Sequence, residues 1–383
     1  MDKYEYLWMR VRNNMLPGDI SGYSHGNGQF GDSYIYEEIM QMSESELVEK
    51  TVLTKKQASY IMSTKNSLDA DREYDRFIES GIKAATIRDD EYPGRLRFID
   101  NPPYALFYYG NLPDEDTKSA AVIGARKCSE YGRFMAESLA SGLAKERINI
   151  ISGMAYGIDG IAQMEAMNNG GKSYAIIGSG VDICYPRANR PVYERLKCEG
   201  GIISEYPPGT QAVSSNFPMR NRIISGLADV VIVVEARLKS GTFITVDAAL
   251  SQGKEIMVVP GRATDALSVG CNALLFQGAS PVQSSDDVMR LLETVKSGYT
   301  AGNVRNTFRT KELDKYVPKT KEEILLDGKE RKVFEAMDYY PKSAEEIAEK
   351  SKMDFLEVMN VLVAIEMKGI ICERGKNMYV KCV

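Results

Sequence analysis

Histidine is nearly absent from this 383-residue chain: His25 is the only one, in a Gly/Ser-rich stretch that predicts an exposed loop. A Ser-His-Asp triad or a site with several histidine ligands would have to use this residue, which disfavours both. The sequence also has no nucleophile elbow and no P-loop lysine. We therefore expect neither a catalytic centre nor a metal site.

Paired cysteines and long apolar runs are missing as well. None of the six cysteines forms a C-x-x-C pair, and their scattered, apolar-flanked positions indicate structural roles in a reducing compartment. No apolar run approaches the length of a membrane span. The amino terminus carries Asp2, Lys3 and Glu5 and does not fit a signal peptide. We expect a cytoplasmic protein with no membrane span.

An excess of positive charge is also lacking, because the formal net charge is −5. The overall field of such a protein repels nucleic acid. Any binding to nucleic acid must therefore come from a local basic patch.

What the chain does have is an alternation of short apolar strands and helices between residues 119 and 295. Strands that are apolar throughout are typical of a parallel sheet covered by helices on both faces. We predict an α/β fold, a Rossmann-like doubly wound parallel sheet, over residues 83–296. The predicted strands are 120–123, 148–152, 173–177, 201–204, 230–234 and 255–259, and the helices lie near 129–146, 157–169, 190–199, 218–227, 241–252 and 284–296. Residues 105–109 predict a further strand, at the entry to this domain.

The flanking segments have different patterns. Residues 1–82 predict a small helical domain, in which Ser43 and Glu46 fit a capping box. The polar segment 297–320 predicts a linker. Residues 321–383 predict three helices and a hairpin, which is the order of a winged helix.

The third helix of the predicted winged helix is acidic. It carries Asp354, Glu357 and Glu366, whose charges oppose the approach of phosphate. We expect this domain to act in protein interaction or regulation and not as a reader of duplex DNA.

The turn after the first predicted strand contains Gly124, Arg126 and Lys127, and Ser129 fits the N-cap of the helix that follows. In a parallel sheet such turns lie at the carboxyl edge, where ligands bind, and the following helix offers unpaired N–H groups that suit phosphate. Taken alone, Gly124 only closes a tight turn beside two surface cations, and for this turn alone we favour that interpretation.

Later strand-end loops repeat the pairing of glycine with cations, and this shared placement favours a phosphate-bearing ligand. The Ser240-Gly241-Thr242 segment opens a helix and is a second candidate phosphate nest. The remaining members of the predicted basic edge are Gly153, Arg187, Arg190, Arg220, Asn221, Arg222, Arg237 and Lys239.

Aromatic and acidic residues interleave with these cations. Rings beside cations suit the stacking of single-stranded bases, although we expect Phe217 to belong to the core. The carboxylates either perform acid–base chemistry or act as caps and arginine partners, and nothing in the sequence requires catalysis. The residues concerned are Tyr156, Tyr185, Tyr206 and Phe217, with Asp159, Asp182, Glu205 and Glu235.

Together these motifs resemble the DNA-processing protein A family (DprA, also called Smf) over residues 83–290. The resemblance rests on order and spacing across the domain. The matching motifs are Ile123-Gly-Ala-Arg, Ser152-Gly-Met-Ala-Tyr-Gly-Ile-Asp, Phe217-Pro-Met-Arg-Asn-Arg, Val234-Glu-Ala, Ser240-Gly-Thr-Phe-Ile-Thr, Val259-Pro-Gly and Gly270-Cys-Asn-Ala-Leu-Leu-Phe-Gln-Gly-Ala.

The resemblance implies a cytoplasmic bacterial protein of natural transformation and recombination. Such proteins bind and protect single-stranded DNA, load the RecA recombinase onto it, and dimerise through the Rossmann-like domain. The family's phosphate-contacting arginine corresponds to Arg126, and other pocket residues match Arg187, Arg190, Asn221 and Arg222. The resemblance also implies a sterile-alpha-motif-like fold for the amino-terminal domain and a winged helix at the carboxyl end.

Two positions depart from the family pattern. Gln163 stands where the family usually has histidine, which makes catalysis at that place less expected. The amino-terminal domain has Leu16-Pro-Gly-Asp-Ile20 in place of a Pro-Gly-Ile-Gly signature, which puts a nucleic-acid contact from that domain in doubt.

A competing interpretation is a nucleotide-binding enzyme of the same superfamily, of the nucleoside-monophosphate hydrolase type. Those enzymes resemble this chain at the Gly241-Thr242 turn but usually have a Pro-Gly-Gly-x-Gly-Thr run. Here the run is the incomplete Leu238-Lys-Ser-Gly-Thr. An NAD-dependent oxidoreductase is weaker still, because the turn after the first strand lacks the full G-x-G-x-x-G pattern and we expect no cofactor.

Overall fold

A computed structural model describes residues 3–13, 41–50, 54–67, 69–296, 326–337, 341–373 and 377–381 of the chain. The predicted linker 297–320, the loop around His25 and the segment 16–20 lie outside the described residues. The predictions for those three segments therefore stay predictions.

The centre of the described fold is one large sheet. Its strands in chain order are β1 (Lys83–Thr86), β2 (Ala105–Gly110), β3 (Ser119–Ile123), β4 (Asn149–Ser152), β5 (Ser173–Ile176), β6 (Gly201–Ser204), β7 (Val230–Val233), β8 (Glu255–Val258) and β9 (Ser280–Pro281). Their order across the sheet is β1-β2-β6-β5-β4-β3-β7-β8-β9. Neighbouring strands from β6 to β9 are parallel, while β1 and β2 add an antiparallel edge. The mostly parallel α/β sheet predicted from the sequence is confirmed.

The strand order changes direction at β3, which has β4 on one side and β7 on the other. At such a point the connections leave the carboxyl edge toward opposite faces and open a crevice between them. The loops after β3 and β7 therefore border the natural binding place of this sheet.

The helices of the described residues cover both faces of the sheet. In chain order they are α1 (Lys3–Asn13), α2 (Glu44–Lys50), α3 (Lys55–Ser67), α4 (Ala70–Glu79), α5 (Glu130–Lys145), α6 (Ile158–Asn168), α7 (Arg190–Glu199), α8 (Asn216–Leu227), α9 (Thr242–Ser251), α10 (Val269–Phe276), α11 (Ser285–Lys296), α12 (Gly328–Ala336), α13 (Ala344–Ser351) and α14 (Phe355–Met367). Among these, α5, α6 and α11 pack on one face, and α8, α9 and α10 pack on the other.

Strand β7 shows why the sheet needs helices on both sides. Val230 and Ile232 contribute to the hydrophobic cluster on one face, and Val231 and Val233 contribute to the cluster on the other. All four side chains are fully buried. Period-2 alternation places successive apolar residues on opposite faces, so each face requires its own cover.

The sheet is larger than the sequence pattern predicted. Residues 105–109 were expected to form a strand at the domain entry, and the structure pairs β2 with β6 inside the sheet. The short β9 and helix α10 were not expected, because β9 has two residues and α10 contains the weak helix formers Gly270 and Asn272.

The amino-terminal helices pack against the sheet. The ring of Tyr6 stacks on Phe77 at 4.5 Å between centroids and meets Phe107 of β2 at 6.4 Å. The predicted capping box is present, since the Ser43 amide donates to Glu46 and the Glu46 amide to the Ser43 hydroxyl. The sterile-alpha-motif likeness and the boundary at residue 82 stay predictions.

The carboxyl-terminal helices α12, α13 and α14 are followed by a hairpin. With β10 (Lys342–Ser343), the strands β11 (Ile371–Glu373) and β12 (Met378–Lys381) form a three-stranded sheet in the order β10-β12-β11. The unit has a hydrophobic core of its own, built around Val333, Leu362 and Tyr379. Three helices and this small sheet confirm the predicted winged-helix order.

None of the helices in the described part of the chain is long and apolar enough to cross a membrane.

Candidate functional site

An open cleft of about 760 Å³ lies at the carboxyl edge of the sheet, at the crevice beside β3. Loops that follow β3, β4, β5, β6 and β7 meet there with the starts of α8 and α9. The residues that line this cleft include Gly124, Arg126, Lys127, Tyr185, Phe217, Asn221, Arg237, Lys239, Ser240, Gly241, Thr242 and Ile244.

The turn after β3 runs very close to its neighbours. A Cβ at Gly124 would lie 2.8 Å from Cγ1 of Ile158 and 3.1 Å from the carbonyl oxygen of Glu235. At Gly157, where φ is +72°, a Cβ would lie 2.3 Å from the carbonyl oxygen of Ala125. Glycine is required at both positions, because any side chain would push the turn outward.

A buried carboxylate ties the loops after β3 and β7 together. Glu235 is 2% exposed and accepts hydrogen bonds from the amide of Ser129, at 2.9 Å, and from its hydroxyl. The Ser129 side chain also caps α5 by accepting from the Gly132 amide at 3.1 Å, as predicted. These bonds fix the backbone that carries Arg126 and Lys127.

Four exposed cations border the cleft: Arg126, Lys127, Arg237 and Lys239. Arg126, Lys127 and Arg237 have no hydrogen bond or ion pair to any residue that the structure describes. Among the described lining residues Asp159 is the one acid, and it is 7% exposed. The cleft is therefore a cationic site on a protein whose net charge is negative.

The start of α9 lines another part of the cleft. The Ser240 hydroxyl lies 2.9 Å from that of Thr242 and accepts from the Thr242 amide at 3.2 Å. A Cβ at Gly241 would meet nothing within 4 Å, so the backbone faces open space here. The positive end of the helix dipole adds to the cationic character of the cleft.

Two aromatic rings stand in the same cleft. Tyr185 is 49% exposed, and its ring stacks on Phe217 with centroids 5.6 Å apart and planes inclined by 28°. The expectation that Phe217 belongs to the core is wrong, because its side chain is half-buried and lines the cleft. The pair offers a flat apolar surface beside the cations.

Beneath the cleft, Arg220 and Asp159 are buried together. Asp159 accepts from the amides of Gly153 and Ala155 at 3.1 and 3.4 Å, and Arg220 donates to the carbonyl of Gly153 at 2.9 Å and to that of Ile176. Burial raises the pKa of the Asp159 carboxyl, and the charge of Arg220 opposes that rise. Burial lowers the pKa of Arg220 to about 10, so its guanidinium stays protonated at neutral pH. The Arg220 side chain acts as an internal brace of the loop after β4.

Arg222 does not face the cleft, which corrects its predicted place among the lining residues. Its two terminal nitrogens donate to the Glu205 carboxylate at 2.8 and 2.6 Å, and its Nε donates to the carbonyl of Asn101 at 2.9 Å. The Arg222 and Glu205 side chains are only 12% and 11% exposed. This bidentate pair holds α8 against neighbouring loops.

Three further predicted residues also lie outside the cleft lining. Gly153 is buried beneath the cleft. Arg187 is exposed in the short 3₁₀ helix Arg187–Asn189, and Arg190 pairs with Glu194 at 2.8 Å on α7. Of the predicted set, the structure brings together Gly124, Arg126, Lys127, Arg220, Asn221, Arg237, Lys239, Ser240, Gly241 and Thr242.

Sequence reasoning missed two kinds of lining residue. Ala212 and Ser214 come from the loop that follows β6, and Ile244 adds an exposed apolar side chain from α9. No motif marks these residues, because small and aliphatic side chains in loops carry no distinctive chemistry.

The carboxylates near this edge are engaged in structural bonds. Besides Asp159, Glu205 and Glu235, the Asp182 carboxylate accepts from the Gly209 amide at 2.9 and 3.0 Å. Across the residues with described positions, no group of three His, Cys, Asp or Glu side chains is placed to hold a metal ion.

Comparison with protein families gives two matches. Residues 83–293, more than half of the chain, match the family model described as DNA recombination-mediator protein A. Residues 317–375 match the model of the DprA winged helix domain.

Curated relatives agree with these family matches. The chain is 43% identical over 208 residues to the DNA processing protein DprA of Streptococcus pneumoniae, covering 54% of this chain and 73% of that protein. It is 32% identical over 329 residues to a putative DprA of Mycobacterium tuberculosis, covering 80% and 81%.

Two solved structures are similar to this one. The crystal structure of DprA from Streptococcus pneumoniae aligns with a TM-score of 0.63 at 32% identity, covering 76% of this chain and 98% of that one. DNA processing protein A from Helicobacter pylori aligns with a TM-score of 0.51 at 30% identity, covering 56% and 97%.

Proposed function

This chain belongs to the DprA/Smf family of DNA processing proteins, and on that premise we propose that its cleft binds single-stranded DNA without catalysing a reaction. The observation that carries the proposal is the meeting of four exposed cations with a stacked Tyr185–Phe217 ring pair in one open cleft.

Each part of the cleft suits one part of a DNA strand. Arginine and lysine side chains bind phosphate oxygens through charge-assisted hydrogen bonds. Exposed rings stack on bases whose faces are free, as in a single strand, and such stacking tolerates any base sequence. The cleft should therefore prefer single strands over duplexes and show little sequence preference.

The family supports this ligand. The Helicobacter pylori relative has a described single-stranded DNA binding mode, and this chain aligns with nearly all of that structure. The family model bears the name of a recombination mediator.

Finer parts of the proposal rest on the family resemblance. We propose that the protein works in the cytoplasm in natural transformation and recombination, where it protects the strand and loads RecA onto it. We also propose that it acts as a homodimer joined through the Rossmann-like domain.

The salt dependence of binding tests the proposed function. If the four cations each neutralise one phosphate, log K for oligo-dT should fall with log salt concentration at a slope of roughly −3. Fluorescence anisotropy across a salt series measures this slope, and a duplex of equal length is the control. Affinity that is independent of salt, or equal for both forms of DNA, would contradict the proposal.

We expect no hydrolysis of nucleoside monophosphates, which separates this protein from the enzyme alternative. A glutamate or aspartate that attacks or deprotonates must be free to do so. Here Asp159, Glu205 and Glu235 are all buried and are bonded to amides, an arginine or a serine. Incubation with nucleoside monophosphates and chromatography for released base tests this, and steady release would favour the hydrolase.

The surface of α14 supports a role for the winged helix other than duplex reading. Leu356, Val363 and Met367 are 72%, 50% and 85% exposed, so this helix presents apolar side chains where a DNA reader would present cations. Glu357 is paired with Lys329. That this unit acts in protein interaction or regulation stays a prediction.

A further inference from the structure

A second cavity of about 870 Å³ adjoins the cleft. It lies between α5 and α6 and reaches the residues at the start of α7. Arg126 and Lys127 line both spaces, so the turn after β3 is the partition between them. We call this second space the side cavity.

The partition carries free cations on an exposed turn. Arg126 and Lys127 have no hydrogen bond or ion pair among the described residues, and both are exposed. A phosphate group bound to this turn can belong to a nucleotide in the cleft or to a nucleotide in the side cavity. The turn is therefore a phosphate site that the two spaces share.

A third cation stands inside the side cavity. Arg133 on α5 is 49% exposed, and its contacts to Glu130 and Glu137 are both long, at 3.9 Å. Exposed pairs of this kind contribute little to stability. The Arg133 guanidinium is thus available to an incoming phosphate.

The rest of the lining suits the base portion of a nucleotide. Tyr156 presents a ring that is 47% exposed, and Ile161 adds an apolar side chain. Glu137 and Glu165 also line the cavity. These carboxylates accept hydrogen bonds from base N–H groups, whereas Arg126, Lys127 and Arg133 attract phosphates.

We propose that the side cavity is a second subsite for the same DNA strand, occupied by nucleotides that have crossed the Arg126–Lys127 turn. The inference rests on the proposed function of the cleft. Both volumes fall in the range of ordinary ligand sites, so each holds a short piece of strand. A strand that fills the cleft and continues in this direction meets the cations of the side cavity.

The length of the DNA distinguishes the two subsites. Affinity should be measured by anisotropy for oligo-dT from roughly 4 to roughly 16 nucleotides, the usual range of site sizes. Arg133→Glu should weaken binding of the longest oligomers about tenfold and leave the shortest that bind unchanged. The salt slope for long oligomers should become shallower by about 0.7.

Two variants control for indirect effects. Lys145→Glu makes the same charge change in the last turn of α5, about 18 Å along the helix, and should leave binding unchanged at every length. Ile161→Trp adds bulk inside the side cavity without changing charge and should reproduce the loss for long oligomers only.

The possible outcomes separate this inference from the proposed function. If the unmodified protein binds no oligomer, the proposed function itself is wrong. If it binds but Arg133→Glu and Ile161→Trp affect all lengths equally or none, the cleft is the whole site and the second subsite is wrong. A loss restricted to long oligomers in both variants supports it.

Discussion

Replacing Arg126 by alanine is expected to weaken binding of oligo-dT at least tenfold while leaving the fold intact. A charge-assisted hydrogen bond to phosphate contributes about 1.5–3 kcal/mol, and about 1.4 kcal/mol corresponds to tenfold in affinity. Arg126 borders both the cleft and the side cavity and is free of internal partners among the described residues. Its loss should therefore change the free energy of unfolding by less than about 0.5 kcal/mol.

The matched control is Lys172→Ala. Lys172 is exposed and immediately precedes β5, at the opposite edge of the sheet from the cleft. Anisotropy should show unchanged affinity for this variant, and thermal unfolding should show both variants as stable as the parent. If Arg126→Ala bound oligo-dT with the same affinity as the parent protein, the cleft would not be the DNA-binding site.

Replacing Arg220 by alanine is expected to destabilise the protein by about 3 kcal/mol, since its loss leaves the buried Asp159 carboxyl without the compensating charge of Arg220 and two buried carbonyls without their donor. Arg220 is 6% exposed and is bonded to the carbonyls of Gly153 and Ile176. For a domain of this size the melting temperature should fall by roughly 6–12 °C. Differential scanning calorimetry measures this shift.

Arg237→Ala is the contrasting variant, because Arg237 comes from the same sheet edge but is exposed in the cleft. It should weaken DNA binding with almost no loss of stability. Combining Arg220→Met with Asp159→Asn removes both charges and should cost less than the sum of the single changes. A melting temperature of Arg220→Ala equal to that of the parent protein would show that the Arg220 side chain does not brace the loop after β4.

Much of the fold could be predicted from local pattern. The apolar strands that form β3 to β8, the cap at Ser129 and the capping box at Ser43 each depend on residues within a few positions of one another. The position of strand β2 within the sheet could not be predicted, because its partner β6 lies about a hundred residues away and its apolar sequence fits any buried strand.

The candidate site likewise contains residues whose position follows from local sequence and residues whose position does not. Arg126 and Lys127 were predicted correctly to lie at the cleft, since a turn directly after a parallel strand must emerge at the carboxyl edge. Phe217 and Arg222 were placed wrongly. Both belong to α8, where each residue is rotated by about 100° from the one before, and only packing decides which face meets the cleft.

The sequence by itself determined that this chain forms a parallel α/β sheet and that cations follow its strands, because strand burial and turn position are set by neighbouring residues. The tertiary structure alone decided which cations are available to a ligand. Arg220 and Arg222 found internal partners 44 and 17 residues away along the chain, whereas Arg126 found none among the described residues. A buried guanidinium must be compensated by nearby acceptors, and only the folded chain brings such acceptors within reach.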